Sequence, residues 1–390
     1  MKARSTIALV PRTAEKRIAL FDLQRQRRRL NDNLRTRMDT VLAHGQFILG
    51  PEVEQLEKRL SAYCGVGHTI AVSSGRDALM IALMALDVGP GDAVYVPAFT
   101  FAATAGSVAS VGATPVFVDV LADTFNMDPD DLERAVRETA EAGTLRPRVV
   151  MPVDLYGLPA DYAAIARIAA EHNLTVLADA AQSFGGGIGN RRVGALAPVS
   201  ATSFYPTKPL GCYGDGGAVL TEDAAVAEAV RVIRSHGRSG DGDEAVRLGL
   251  TGRLDTLQAA ILLAKLDVFE DELRRRREIA ARYSDALAGI ASVPTVPRGM
   301  NSAFALYTIR VEERDRVRAE LDRLGVGTGL FYRLALHQHP AFRNIAKRPL
   351  PVAEQLAGEV LSLPVHPDLD DDEVDAVIAA VSQVLSHRGV

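Results

Sequence analysis

The amino-acid sequence predicts an α/β fold in which a mostly parallel central sheet is flanked by helices. From about residue 67, short runs of apolar and β-branched residues alternate with longer helical patterns. The strand-like runs are apolar throughout, which is typical of parallel strands buried on both faces. With 390 residues, 47% of them hydrophobic, the chain can bury a large core.

Seven of these runs are predicted to be strands. The run at 68–72 leads into a helix near 79–86, and the run at 93–96 precedes a helix over 102–111. A third helix is expected over 161–172. The other five strands are expected at 115–118, 148–151, 174–177, 200–204 and 217–220.

The C-terminal part of the chain predicts a smaller α+β unit. A long helical pattern runs over 255–287, and a Pro/Gly-rich break follows at 293–300. Beyond it we expect a strand at 303–311, a helix after Glu312, a strand at 326–332 and two terminal helices. The expected division is an N-terminal extension, a large domain that starts with a helical segment, and a linking helix with a small C-terminal domain: 1–17, 18–266 and 267–390.

Composition and charge narrow the class of protein. The 44 basic and 49 acidic side chains leave a net charge of -5, which gives no reason to expect nucleic acid or an anionic membrane as partner. Two cysteines suggest a reducing compartment, and no apolar stretch resembles a signal peptide or a membrane span. We therefore expect a soluble cytoplasmic protein. His337 and His339 alone are too few for a metal site, so no metal is expected.

Three predicted strands end in polar residues, and ligands of open α/β sheets bind at the carboxyl ends of strands. Ser73–Arg76 opens a helix, where small residues let backbone N–H groups approach a phosphate. Asp179 ends a second strand, and Ser203 ends a third. Taken singly, the first is more often a plain helix N-cap, and the second a cap or an ion-pair partner. Together they indicate a single site.

Lys208 follows the third of these strand ends. It lies between two prolines, just before a glycine-rich turn, and it is one of only six lysines in the chain. A lysine amine becomes a Schiff-base nucleophile when its surroundings lower its pKa. A lysine, a phosphate cup and a strand-end aspartate that keeps a pyridine nitrogen protonated are the groups that pyridoxal phosphate (PLP) needs.

At these positions the sequence closely resembles the DegT/DnrJ/EryC1/StrS family of PLP-dependent sugar-nucleotide aminotransferases. The likeness extends from about Ile18 to the C-terminal helices. It is carried by Asp179-Ala-Ala-Gln182, Ser203-Phe-Tyr-Pro-Thr-Lys208 and Gly252-Arg-Leu-Asp-Thr-Leu-Gln-Ala-Ala260. The resemblance implies a PLP fold-type I architecture, similar to aspartate aminotransferase, in which the large domain binds PLP.

The resemblance also implies a role for each site residue. Lys208 would form the Schiff base and shuttle the proton, Asp179 would face the pyridine nitrogen, and Gln182 would lie near the phenolic oxygen. Ser203, with the backbone at Gly75 and Arg76, would hold the phosphate. Further members of the site would be Phe101, stacked on the ring, Thr251, reaching the cofactor of a partner subunit, and Arg253, Tyr332 and His337, contacting the substrate. A homodimer with shared sites is therefore expected.

Within the family, the chain looks most like enzymes that aminate C3 of UDP-2-acetamido-2-deoxy-3-oxo-glucuronate, with L-glutamate as amino donor. Three positions depart from that subgroup. Arg76 stands where threonine is common, Thr251 where asparagine is common, and Phe331 where histidine is common. Arg76 would add a charge-assisted phosphate contact.

Other functions stay open at this point. The substrate can be another keto-sugar or a cyclitol in natural-product biosynthesis. A related dehydratase carries histidine in place of the lysine, and Lys208 argues against that activity. A non-catalytic PLP-binding regulatory protein is the alternative from another class.

Overall fold

The computed structural model describes residues 17–240, 244–345 and 348–386. Of the predicted N-terminal extension, only Arg17 lies within the described residues. Helices and strands alternate along the chain from β1 to β5, as the sequence predicts. The helices are α1 Leu23–Arg29, α2 Asn31–His44, α3 Pro51–Cys64, α4 Gly75–Ala85, α5 Ala102–Ser110, α6 Pro129–Ala142, α7 Tyr162–Glu171, α8 Ala224–Arg234, α9 Thr256–Leu266, α10 Phe269–Leu287, α11 Arg314–Arg323, α12 Pro351–Glu359 and α13 Asp371–Ser386. The strands are β1 His68–Val72, β2 Asp92–Pro97, β3 Thr114–Val118, β4 Arg146–Val150, β5 Thr175–Asp179, β6 Gly187–Ile188, β7 Arg191–Arg192, β8 Val199–Ser203, β9 Gly217–Thr221, β10 Met300–Asn301, β11 Tyr307–Arg310 and β12 Val360–Leu363.

Seven strands form the central sheet, in the order β1-β9-β8-β5-β4-β2-β3. The pairs from β8 to β3 are all parallel, and β9 is antiparallel to both of its neighbours. The prediction of a mostly parallel sheet is confirmed. Since β1 and β8 both run against β9, they run parallel to each other. The carboxyl ends of β1, β5 and β8 therefore lie at the same edge of the sheet.

Helices cover both faces of this sheet, because its strands present apolar side chains on each side. One buried cluster joins the strands to α4, α5 and α8, through side chains such as Leu79, Ala105 and Val230. A second cluster on the sheet includes Leu132 of α6 and Ile165 of α7. Among the described residues, no helix is both long and apolar enough to span a bilayer.

The C-terminal part has an apolar core of its own and differs from the prediction in two details. Helices α10, α11 and α13 pack there around β11 and β12. The second strand is β12, which pairs antiparallel with β11, so the predicted strand at 326–332 is wrong. That run makes only isolated bridges, from Val326 to Ile18 and from Gly329 to Ser362. The long helical pattern is also interrupted, since α9 ends at Leu266 and α10 begins at Phe269.

Candidate active site

Lys208 lies in a tight turn that follows β8. Its backbone N–H donates to the Tyr205 carbonyl at 2.9 Å. The turn closes where Gly211 passes so near the chain that a β-carbon there would lie 2.6 Å from the Tyr205 and Pro206 carbonyl oxygens. Burial lowers the pKa of Lys208 to about 8, although the charge of Asp179 acts in the opposite direction. Roughly a tenth of the amine is therefore unprotonated, and nucleophilic, at pH 7, far more than for an ordinary lysine.

Asp179 ends β5 at the same edge of the sheet, and only 5% of it is exposed. One carboxylate oxygen accepts a hydrogen bond from the Thr104 hydroxyl at 2.8 Å, and the other accepts from the Ala181 N–H at 3.2 Å. Burial raises the pKa of Asp179, while these two hydrogen bonds and the charge of Lys208 lower it. A carboxylate held in this way is suited to pairing with a cation.

The N-terminus of α4 and the end of β8 form a small cup. The Ser74 hydroxyl caps the helix by accepting from the Asp77 N–H at 3.0 Å. A β-carbon at Gly75 would lie 2.5 Å from the β-carbon of Ser203, so glycine is required for this approach. Free N–H groups and the helix dipole favour an anion at such a place. Arg76 is exposed, and its guanidinium donates to Ser110 at 2.8 Å, along the surface of α5.

A group of aromatic side chains adjoins Gln182. The Gln182 amide oxygen accepts from the Tyr156 N–H at 2.8 Å, and its amide nitrogen donates to the Tyr332 hydroxyl at 3.2 Å. The Tyr332 ring lies 6.0 Å from the ring of Phe101, measured between centroids. Phe101 is 57% exposed, which leaves an aromatic face open beside this group.

The side chains of the remaining predicted residues have other partners than the groups around Lys208. Arg253 is paired with the exposed His236, with 2.6 Å between the guanidinium and the imidazole Nε2, and Thr251 lies 3.5 Å from the same nitrogen. The backbone at Arg253 bridges to Val72 at the end of β1. His337 lies 2.9 Å from a carboxylate oxygen of Glu354. The described contacts of His337 thus include none of the residues around Lys208.

The groups around Lys208 suit pyridoxal phosphate. The cup that a β-carbon at Gly75 would fill matches a phosphate, and the buried acid Asp179 matches a protonated ring nitrogen. A model of the DegT/DnrJ/EryC1/StrS aminotransferase family matches residues 29–382. The chain belongs to this family.

Two curated relatives resemble it over almost their whole length. A UDP-2-acetamido-2-deoxy-3-oxo-D-glucuronate aminotransferase of Pseudomonas aeruginosa is 44% identical over 94% of this chain and 99% of its own. A pleiotropic regulatory protein of Geobacillus stearothermophilus is 41% identical over 95% of this chain and 99% of its own. Among solved structures, ntda from Bacillus subtilis with bound cofactor PMP matches with a TM-score of 0.87 at 30% identity, covering 96% of this chain and 86% of that one.

As a member of the DegT/DnrJ/EryC1/StrS family, the protein is a PLP-dependent aminotransferase with a type I fold. Its sheet places the polar ends of β1, β5 and β8 at one edge, as reasoning from the sequence led us to expect, although β9 lies between β1 and β8. That reasoning missed Thr104, Asp154 and Tyr156, which hold Asp179 and the segment around Gln182. A signal was present for two of them, because Asp154 and Tyr156 closely follow the apolar strand β4.

Proposed function

We propose that the protein transfers an amino group from L-glutamate to a keto-sugar nucleotide. The observation that carries this is the half-buried Lys208, which interacts electrostatically with the buried Asp179, beside the cup formed by Gly75 and Ser203. Family membership supports the reaction class, and the name of the Pseudomonas aeruginosa relative supports the substrate class.

Each residue of the site would have one task. When bound, PLP supplies an electron sink that stabilises negative charge on the carbon next to the amine. Lys208 would hold the cofactor aldehyde carbon and later move a proton as general acid and base. Asp179 would keep the ring nitrogen protonated, and Gln182 would lie by the phenolic oxygen. The phosphate would accept hydrogen bonds from Ser203 and from the backbone N–H groups at Gly75 and Arg76.

The substrate proposed first is a 3-keto UDP-sugar such as UDP-2-acetamido-2-deoxy-3-oxo-glucuronate. Arg253 would meet negative charge on this nucleotide sugar, and Tyr332 would offer a hydroxyl beside the cofactor ring. Burial raises the pKa of Tyr332, so this hydroxyl keeps its proton at neutral pH. His337 is the weakest of the proposed substrate contacts, because the structure pairs it with Glu354. Another keto-sugar or a cyclitol is the alternative substrate.

We further propose a homodimer with shared active sites. The loop after α2 exposes Phe47, Ile48 and Leu49, each by more than 40%. Its backbone carbonyl at Phe47 accepts from the Thr256 N–H, so it adjoins the segment that carries Thr251 and Arg253. An exposed apolar group of this kind marks an interaction surface. Thr251 would then reach the cofactor phosphate of the partner subunit.

The test combines absorbance and turnover. The purified holoenzyme is expected to absorb visible light and to change its spectrum when L-glutamate is added. A panel of keto-sugar nucleotides that differ in sugar, keto position and nucleotide then identifies the acceptor through the 2-oxoglutarate formed. The variant Lys208→Arg keeps the charge but is not expected to retain the absorbance, whereas Lys58→Arg, at an exposed lysine, is expected to behave as the wild type.

The regulatory alternative makes a different prediction in the same assay. The name of the Geobacillus stearothermophilus relative is the observation that favours it. A regulatory protein would bind PLP and form no 2-oxoglutarate with any member of the panel. Unchanged absorbance and turnover in Lys208→Arg would contradict the assignment of Lys208.

A further inference from the structure

Asp154 is a carboxylate that is fully buried beneath the proposed cofactor site. It follows β4 by four residues, and none of its surface is exposed. Three donors surround it: the Ser183 hydroxyl at 2.7 Å, the Ala160 N–H at 2.8 Å and the Tyr162 hydroxyl at 2.9 Å. Three hydrogen bonds to one carboxylate favour its ionised form.

The backbone joins Asp154 directly to Asp179. The Asp154 N–H donates to the Asp179 carbonyl at 3.1 Å, and the Asp179 N–H donates to the Pro152 carbonyl at 2.9 Å. Because Ser183 lies next to Gln182 in the chain, its bond to Asp154 also ties down the segment that carries Gln182. Asp154 thus contacts two parts of the proposed site, Asp179 through its backbone and the segment of Gln182 through its side chain.

The two carboxyl groups also interact electrostatically. Burial raises the pKa of Asp154 to about 6, the three hydrogen bonds lower it, and the negative charge of Asp179 raises it. Asp154 is therefore largely ionised above pH 6, as the second of two buried negative charges. Like charges in a buried region repel strongly, and a cation placed beside them removes that cost.

We propose that Asp154 is a positioning residue for the cofactor: its backbone holds the strand end at Asp179, and its carboxylate adds a second negative charge that strengthens the hold on the protonated ring nitrogen. The inference rests on the proposed role of Asp179. A single aspartate would supply one countercharge in a region that excludes water. The second charge raises the proton affinity of the ring nitrogen, and the ring remains the electron sink that transamination needs.

Substitutions at Asp154 and at two of its hydrogen-bond donors separate the effect of its charge from the effect of its contacts. Asp154→Asn removes the charge and keeps the shape, whereas Ser183→Ala and Tyr162→Phe keep the charge and each remove one donor. Loss of a donor raises the pKa of Asp154, so these two variants are protonated at Asp154 at mildly acidic pH, where the wild type is still charged, and carry the charge at higher pH. Among the described residues, Tyr162 of α7 and Asp179 of β5 are the titratable groups that act on Asp154.

The dissociation constant for PLP binding to the apoenzyme is measured by absorbance titration at pH 6.5 and 8.5. The value for each variant is divided by the wild-type value at the same pH. We expect Asp154→Asn to weaken binding about tenfold at both pH values, equivalent to one pK unit of lost charge stabilisation. Ser183→Ala and Tyr162→Phe are expected to match the wild type at pH 8.5 and to bind more weakly at pH 6.5. The matched control is Asp131→Asn, at a buried carboxylate bound by Arg348 and Arg134, which is expected to leave the constant unchanged.

Two outcomes would overturn the inference. In one, Asp154→Asn binds PLP as the control does. In the other, the three variants lose affinity for PLP equally at both pH values. Asp154 would then act only through its structural contacts and not through its charge. Asp179→Asn distinguishes this failure from failure of the proposed function. If Asp179→Asn also binds PLP as the wild type does, the role of Asp179 is wrong. If it binds weakly while Asp154→Asn does not, only the present inference fails.

Discussion

The Thr104 hydroxyl donates a 2.8 Å hydrogen bond to the carboxylate of Asp179, so that helix α5 holds the acid at the end of β5. The same bond lowers the pKa of Asp179 against the effect of burial. A neutral side chain on a neighbouring helix thereby favours the ionised form of the group proposed to face the cofactor ring.

Replacement of Thr104 tests this relationship. Thr104→Val keeps the shape and removes the donor, and a hydrogen bond to a charged group contributes about 1.5–3 kcal/mol. We expect the dissociation constant of PLP to rise roughly tenfold or more, because the pKa of Asp179 rises when the donor is lost. Thr104→Ser restores the hydroxyl and is expected to restore binding. Equal constants for the valine and serine variants would contradict the role of this bond.

Substitution of Gly75 is expected to disturb the cup that is proposed to bind the phosphate. A β-carbon there would lie 2.5 Å from the Ser203 β-carbon, so Gly75→Ala must push the start of α4 away from β8. We expect weaker binding of both PLP and inorganic phosphate to the apoenzyme, measured by equilibrium titration. The control is Gly106→Ala within α5, where a β-carbon would meet nothing within 4 Å. That variant is expected to be neutral or slightly stabilising, since alanine is the better helix former by about 1 kcal/mol.

The pH dependence of cofactor capture follows from Lys208. Its pKa is lowered to about 8 by burial, so the fraction of neutral amine rises with pH, passes one half near pH 8 and levels off at higher pH. The rate at which the apoenzyme captures PLP, followed by stopped-flow absorbance, is expected to follow this curve. Asp179 acts to raise the pKa of Lys208, so Asp179→Asn is expected to move the midpoint to lower pH. A midpoint that stays in place or moves upward would contradict this.

Mixed dimers test whether the sites are shared. Lys208→Ala and Arg253→Ala are each expected to be nearly inactive as separate proteins. If Arg253 serves the partner's site, co-expression in equal amounts restores about a quarter of wild-type activity, since half of the dimers are mixed and each has one intact site. If each subunit builds its own site, the mixture stays as inactive as its parts. Size-exclusion chromatography with light scattering checks that the dimer forms in every sample.

Sequence patterns predicted the central sheet well because the apolar residues of each strand indicate that the strand is buried. A continuous apolar run between helices identifies a parallel strand without knowledge of its neighbours. The sequence patterns gave a wrong prediction at 326–332, where the run looks like a strand. There the backbone makes single bridges to Ile18 and Ser362, and β12 takes the place beside β11. Which of two similar segments pairs with a strand depends on contacts far apart in the chain.

The same distinction applies to the candidate site. Lys208, Asp179 and Ser203 stood out because polar residues at the ends of apolar strands are visible locally and meet at one edge of a parallel sheet. Thr104 and Asp154 gave weaker signals, since a buried threonine in a helix and an aspartate after a strand are common in any fold. Their importance appears only when the sheet brings them to Asp179.

The amino-acid sequence by itself determined the α/β architecture and the chemistry available at the strand ends, because both depend on local patterns of apolar, small and ionisable residues. Only the tertiary structure decided how those groups behave. It partly desolvates Lys208 and so lowers its pKa, brings Gly75 against Ser203, and joins the second carboxylate residue, Asp154, to Asp179. The reason is physical: desolvation, close approach and the interaction of charges depend on distances between residues that are far apart in the chain.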